Sequence, residues 1–281
     1  MHQKGGAKRW ISLGFISFQP SEVAKIGLII FFASLLTKNK DRLGEMWKGF
    51  FYPIMFLLPI IAILVGVQNH LSATLLIVMI VSVMMLMAGS KLRYFLTFGT
   101  AGATAGLSAL FLYAKITQKG LFRITRLITF LDPFADIQGS GWQVVQSLYA
   151  IGSGGLFGVG LGNSTQKYLY IPEAHNDFIF SIIAEELGFL GCVFVIILFA
   201  LFIWRGILIA IKAPDMFGSL IAAGITTMVG LQAIINIAVV TSSMPNTGMP
   251  LPFFSYGGTS LSILMASVGI LLNISRASKS K

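Results

Sequence analysis

Hydrophobic positions along this chain gather into long runs, with polar residues confined to short breaks between them. A membrane-spanning helix needs about 20 mostly apolar residues, and runs of that length fall at roughly 20–37, 51–67, 71–89, 93–114, 178–204, 217–240 and 258–275. Pro53 and Pro59 interrupt the second run, which membrane helices tolerate better than soluble ones. Neither an alternating strand pattern nor an internal repeat is present. The expectation is an all-α, polytopic transmembrane bundle: about seven spans in one integral membrane domain over 1–281, with a long loop at about 115–177.

Composition agrees. Of 281 residues, 56% are hydrophobic and 11% are charged, against roughly 25% charged in a soluble domain. Mean hydropathy is +0.84. The net charge of +10 does not point to nucleic acid, because the basic residues lie in short loops where they act as topology signals. Cys192 is the single cysteine, which excludes an internal disulfide, and His2, His70 and His175 have no metal-ligand spacing. No metal ligand is assigned.

Orientation follows from the loop charges. Lys38, Lys40, Arg42 and Lys48, then Lys91 and Arg93, then Arg205 and Lys212, then Arg276, Lys279 and Lys281 all fall on one side if alternate connections are cytoplasmic. The C-terminus is then inside and the basic start MHQKGGAKRW outside. That awkward start predicts an odd number of further spans upstream of Met1; a natural seven-span form is the alternative. The segment 115–177 lies outside, and its WQVVQSLYAIGSGGLFGVGLG stretch reads as a surface or re-entrant helix followed by glycine bends. No buried strand precedes those glycines, so they do not form a dinucleotide fingerprint.

Acidic residues are scarce. Asp41, Glu45 and Asp215 belong to cytoplasmic loops, which leaves Glu22, Asp132, Asp136, Glu173, Asp177, Glu185 and Glu186 at the outer face or within the membrane, where ionisable groups are costly. In IPEAHNDFIFSIIAEELG, positions 177, 181, 184, 185 and 188 share one helical face, so Glu185 is expected to line the same cleft as Asp177. The alternatives are a helix cap for Asn176 or Asp177 and a buried pair with a neighbouring helix for Glu185. Basic residues on the outer side, Lys4, Lys8, Arg9, Lys115, Lys119, Arg123, Arg126 and Lys167, would suit a lipid-linked phosphate or diphosphate. The turn SSMPNTGMPLPFFSYGGTS has a rigid, irregular composition, and Ser255, Tyr256 and Gly257–Gly258 could line a polar cavity.

Four ordered blocks, GAKRWISLGFISFQPSEVAK at 6–25, GSGWQVVQSLYAIGSGGLFGVGLGNSTQK at 139–167, PEAHNDFIFSIIAEELG at 172–188 and MPNTGMPLPFFSYGGTS at 244–260, together resemble the SEDS family, named for shape, elongation, division and sporulation. The details are nearest to its FtsW/SpoVE branch. The resemblance implies a ten-span fold whose spans four to ten are present here. It also implies peptidoglycan glycosyltransferase activity on lipid II at the outer face of the bacterial cytoplasmic membrane, at the division septum for the division members. By the same resemblance Asp177 is the catalytic aspartate. Arg9, Trp10, Gln19, Gln143, Gln146, Lys167, Glu173, His175, Ser255 and Tyr256 are substrate-binding candidates, and Glu22, Lys25, Ser181 and Glu185 shape the cavity. A divalent cation (Mg or Mn) is a candidate cofactor. A class B penicillin-binding transpeptidase and other divisome or elongasome membrane proteins are the implied partners. The sequence departs from the family at QNHLSAT (68–74), where many members carry an aspartate near His70, and at Asn176, where threonine is common. A lipid II flippase and a non-catalytic division scaffold are the alternative readings.

Overall fold

A computed structural model describes residues 11, 12, 17–66, 68, 71–100, 102, 104, 108, 130–137, 139, 141–166 and 175–278. A two-residue antiparallel pair, β1 (Ile11–Ser12) with β2 (Ser17–Phe18), precedes the first helix. The helices are α1 (Pro20–Lys38), α2 (Tyr52–Gly66), α3 (Leu71–Ala88), α4 (Trp142–Gly154), α5 (Ile179–Ile211), α6 (Met216–Val240) and α7 (Gly258–Ser278). Residues 92–100 are also helical, but most of the run at 93–114 lies outside the described residues. Six helices among the described residues are long and apolar enough to cross a membrane: α1, α2 with its preceding turn Trp47–Phe51, α3, α5, α6 and α7.

The chain divides into two compact units, Met1–Thr97 with Leu201–Leu231 and Gly257–Lys281, and Phe98–Ala200 with Gln232–Tyr256. In the first, α1 packs against α2, α3 and α7. Pro20 opens α1, where a missing N–H costs nothing, and Lys38 sits in its last turn. Its inward stripe is Ser21, Lys25, Ile29, Phe32, Ala33 and Leu36, while Val23, Ile30 and Phe31 face outward. Lys25 is buried, with Nζ 2.7 Å from Glu22 Oε1 one turn earlier. Gly224 of α6 lets the helices approach closely, since a methyl there would stand 2.7 Å from Ile29 and 3.0 Å from Met84 Sδ. Ile209, Ala210, Ala222, Ala223 and Leu271 form a small apolar cluster. Asp215 begins α6, accepting from Gly218 N–H at 3.3 Å.

Among the described spans α6 is the most enclosed, with 72% of its apolar stretch buried against 22% for α5. Its polar side chains Thr226, Gln232 and Asn236 are accordingly buried, whereas the exposed Phe189, Phe194, Ile197, Leu201 and Trp204 of α5 are lipid-type surface. α5 is also longer than the run at 178–204 foretold. The reason is that Ile207–Ile211 continue the apolar pattern beyond Arg205.

Candidate functional site

The residues singled out around Asp177 belong to the second unit. α4 carries an inward face of Val144, Val145, Gln146, Ser147 and Ala150, and Ser147 Oγ donates to Val240 O at 2.9 Å, tying α4 to the end of α6. After α4 the chain turns through Gly155, Gly158, Gly160 and Gly162, all at positive φ.

That glycine-rich turn enters a break in α5. Gly188 has φ 67°, ψ −166°, so the helix cannot bond across it. Two of the bonds expected across it, Phe189 N–H to Glu185 O and Leu190 N–H to Glu186 O, are replaced. Phe189 and Leu190 N–H donate instead to Gly155 O (2.9 Å) and Leu156 O (3.2 Å), while Glu185 O and Glu186 O accept from Val159 N–H (3.0 Å) and Gly160 N–H (3.1 Å). These four backbone groups are thereby satisfied, as buried irregular backbone requires. Close approach needs glycine on the loop side, because a methyl at Gly158 would stand 2.1 Å from Glu186 O.

Glu185 completes the attachment. Its carboxylate, 1% exposed, accepts from Ser164 Oγ (2.5 Å), Thr165 N–H (3.0 Å) and Thr165 Oγ1 (2.9 Å). Glu186 Oε1 accepts from Ser164 N–H at 3.4 Å. Helical spacing puts Glu185 in one cleft with Asp177; the structure turns its carboxylate onto the loop residues Ser164 and Thr165 instead, and among the described residues neither a neighbouring helix nor Asp177 is its hydrogen-bond partner. Ser181, also on that supposed face, is buried and donates through Oγ to Phe178 O at 2.7 Å.

Asp177 itself lies in a turn at 175–177 that precedes α5. It is not on the helix because the carbonyls of this turn are held from elsewhere. His175 O accepts from Tyr256 N–H at 2.8 Å, Asn176 O accepts from Ser255 Oγ, and Asp177 O accepts from Asn236 Nδ2 at 2.7 Å. Ser255 Oγ in turn accepts from Leu251 N–H at 2.7 Å, and Asn236 Nδ2 also donates to Met249 O at 2.7 Å. The rings of His175 and Tyr256 meet edge to face, 5.7 Å apart. The Asp177 carboxylate faces Gly248, φ 64°, where a methyl would lie 3.5 Å from Oδ2. Gly248 N–H donates to Asn246 Oδ1 (3.1 Å), and Asn246 Nδ2 donates to Gln143 Oε1 of α4 (3.1 Å).

The structure therefore joins Asp177, His175, Ser255, Tyr256 and Gln143 into one bonded neighbourhood. Gln146 lies buried on the inner face of α4. Gln19, Glu22 and Lys25 belong to the other unit. Arg9, Trp10, Lys167 and Glu173 lie outside the described residues. Asn236 and Asn246 were not anticipated. A lone amide inside the apolar run IINIAVV was the available signal for Asn236, since polar groups in spans are usually bonded and functional. Among the described residues no group of three or more His, Cys, Asp or Glu side chains could hold a metal ion.

Comparison with known proteins shows the family. A family model described as cell cycle protein, spanning FtsW, RodA and SpoVE, matches residues 1–280. Stage V sporulation protein E of Bacillus subtilis (strain 168) is 42% identical over 276 residues, covering 98% of this chain and 73% of that protein. The probable peptidoglycan glycosyltransferase FtsW of Geobacter sp. (strain M18) is 44% identical over 270 residues, covering 96% and 71%. Among solved structures, a chain from a study of how a peptidoglycan synthase complex coordinates polymerization and crosslinking superposes with TM-score 0.81 at 30% identity, covering 100% of this chain and 76% of that one. Thermus thermophilus rod shape determining protein RodA gives TM-score 0.66 at 29% identity, covering 98% and 71%. The chain belongs to the FtsW, RodA and SpoVE family of cell cycle proteins, the SEDS family.

Proposed function

We propose that this multi-pass membrane protein is a peptidoglycan glycosyltransferase that joins lipid II units into glycan strands at the outer face of the bacterial cytoplasmic membrane, with Asp177 as its general base. The enzyme class is supported by curated relatives named probable peptidoglycan glycosyltransferase at 40–44% identity. The role in division or sporulation is supported by the FtsW and SpoVE relatives. Orientation is supported by the basic segments at Lys38–Lys48, Lys91–Arg93, Arg205–Lys212 and Arg276.

The observation that carries the catalytic reading is the fixing of the Asp177 turn, whose three successive carbonyls are all bonded to residues of α6 and the segment after it. In the reaction, the acceptor sugar's 4-hydroxyl loses its proton to the Asp177 carboxylate as its oxygen attacks the donor's anomeric carbon. The bond from that carbon to the diphosphate oxygen breaks, and the electron pair leaves with undecaprenyl diphosphate. A positioned base contributes about 10²–10⁴-fold. Arg9 and Lys167 are the candidates for cationic stabilisation of the leaving diphosphate, and a Mg or Mn ion, when bound, would supply the same charge. The resemblance to a chain of a peptidoglycan synthase complex supports a class B penicillin-binding transpeptidase as partner.

Asp177→Asn keeps size and removes the base. Glycan formation from purified lipid II in detergent, with the transpeptidase present, should fall at least about 10²-fold at unchanged membrane levels. A flippase would keep its transport and a scaffold would still support growth. Polymer made by Asp177→Asn at the wild-type rate would remove the carboxylate from the chemistry.

A further inference from the structure

We infer that Asn236 is a positioning residue for the Asp177 carboxylate, an inference that rests on Asp177 being the base. Asn236 sits in the most enclosed span of the described chain and is 1% exposed. Its amide nitrogen has two hydrogens, and both are used at 2.7 Å: one on Asp177 O, the other on Met249 O. Neither carbonyl belongs to a helix ladder. Each lies on irregular backbone beside a buried helix, where apolar surroundings favour a carbonyl held by a donor.

The two anchored residues are those that set the carboxylate's surroundings. Holding Asp177 O fixes the backbone from which the carboxylate projects. Holding Met249 O fixes the residue after Gly248, whose α-carbon faces Asp177 Oδ2. One side chain therefore sets the separation between the base and the wall it faces. The acceptor end of the same amide, Oδ1, is buried without a hydrogen-bond partner among the described residues. An amide kept in this position for packing or for accepting a bond would not be arranged so; only its donors are engaged. The substitution pattern should follow donor count. Leucine matches the volume with no donor, and serine retains one.

The test compares Asn236→Leu, Asn236→Ser and Asp177→Asn in the full chain, with initial rates of lipid II polymerisation measured against lipid II concentration and folding followed by thermal unfolding in detergent. A misplacement of about 1 Å in a catalytic group can cost about 10²-fold. Asn236→Leu should therefore lower kcat by about that factor with KM for lipid II little changed, and Asn236→Ser should lie between it and wild type. A further loss should not appear when Asn236→Leu is added to Asp177→Asn, because the residue acts through that carboxylate. An inactive Asp177→Asn beside wild-type kcat in Asn236→Leu would overturn the positioning role and leave the base standing. If Asn236→Leu does not fold, wild-type kcat in a folded Asn236→Ser overturns it equally. Equal factors lost in both backgrounds would reduce Asn236 to general support of the fold. Wild-type activity in Asp177→Asn would sink the base itself.

Discussion

Gly188 and Gly158 meet backbone to backbone: a methyl on Gly188 would stand 2.3 Å from the Gly158 nitrogen. Both have positive φ, 67° and 78°. The contact is the point at which the loop after α4 enters the break in α5. Gly158→Ala must therefore accept a strained backbone and push against Glu186 O. We expect a loss of about 1–3 kcal/mol, read as a lower unfolding temperature in detergent. A Gly158→Ala protein as stable as wild type would mean the loop does not sit in the break.

Glu185 should behave as the clasp of that loop. Glu185→Ala removes the carboxylate acceptor of Ser164 Oγ and of the Thr165 N–H. Bonds to charged groups are worth about 1.5–3 kcal/mol, so the variant should unfold well below wild type. Glu185→Gln keeps one oxygen for Thr165, and Ser164 can turn its hydroxyl to accept; its loss should be less than half as large. Equal losses in the two variants would show that charge, not bonding, is what the site needs.

The Glu22–Lys25 pair is a second clasp, within one helix. Lys25→Met leaves the Glu22 carboxylate without the cation now 2.7 Å away. Removing one partner of a buried pair costs about 3–5 kcal/mol, whereas replacing both is often neutral. Lys25→Met should accumulate poorly in membranes, and Glu22→Gln added to it should restore most of the level. A double variant no better than Lys25→Met would show that the two groups are not energetically linked.

Orientation is open to a labelling test in a Cys192→Ser background. Single cysteines at Lys40 and Pro214, both exposed, should resist an impermeant thiol reagent in intact cells. One at Ser243, also exposed, should react. The opposite pattern would reverse the assignment made from the basic loops.

The spans were legible because about 20 apolar residues in a row have few other uses. Their irregularities were not. Counting a helical face from Asp177 to Gly188 assumed one unbroken helix, yet Asn236, Ser255 and Tyr256 hold 175–177 out of it and Gly188 ends the run below Glu185. The glycines at 155–162 were readable as bends and close approaches, but nothing in their order named α5 as the segment approached. Asp177 was legible through a motif, which marks a residue without giving its supports. Those supports are an amide in α6 and a serine hydroxyl far along the chain. Pairings of that kind depend on which helices lie side by side, and a single sequence does not state it.

The anchoring of the Asp177 turn also fixes when the site can exist. Its partners lie 59 residues downstream at Asn236 and 79 at Ser255. During synthesis, Asp177 and all of α5 are polymerised before either partner has been made. The aspartate therefore waits on the next span and on the segment that follows it. A nascent chain that stalls ahead of α6 carries Asp177 without the bonds that hold its turn.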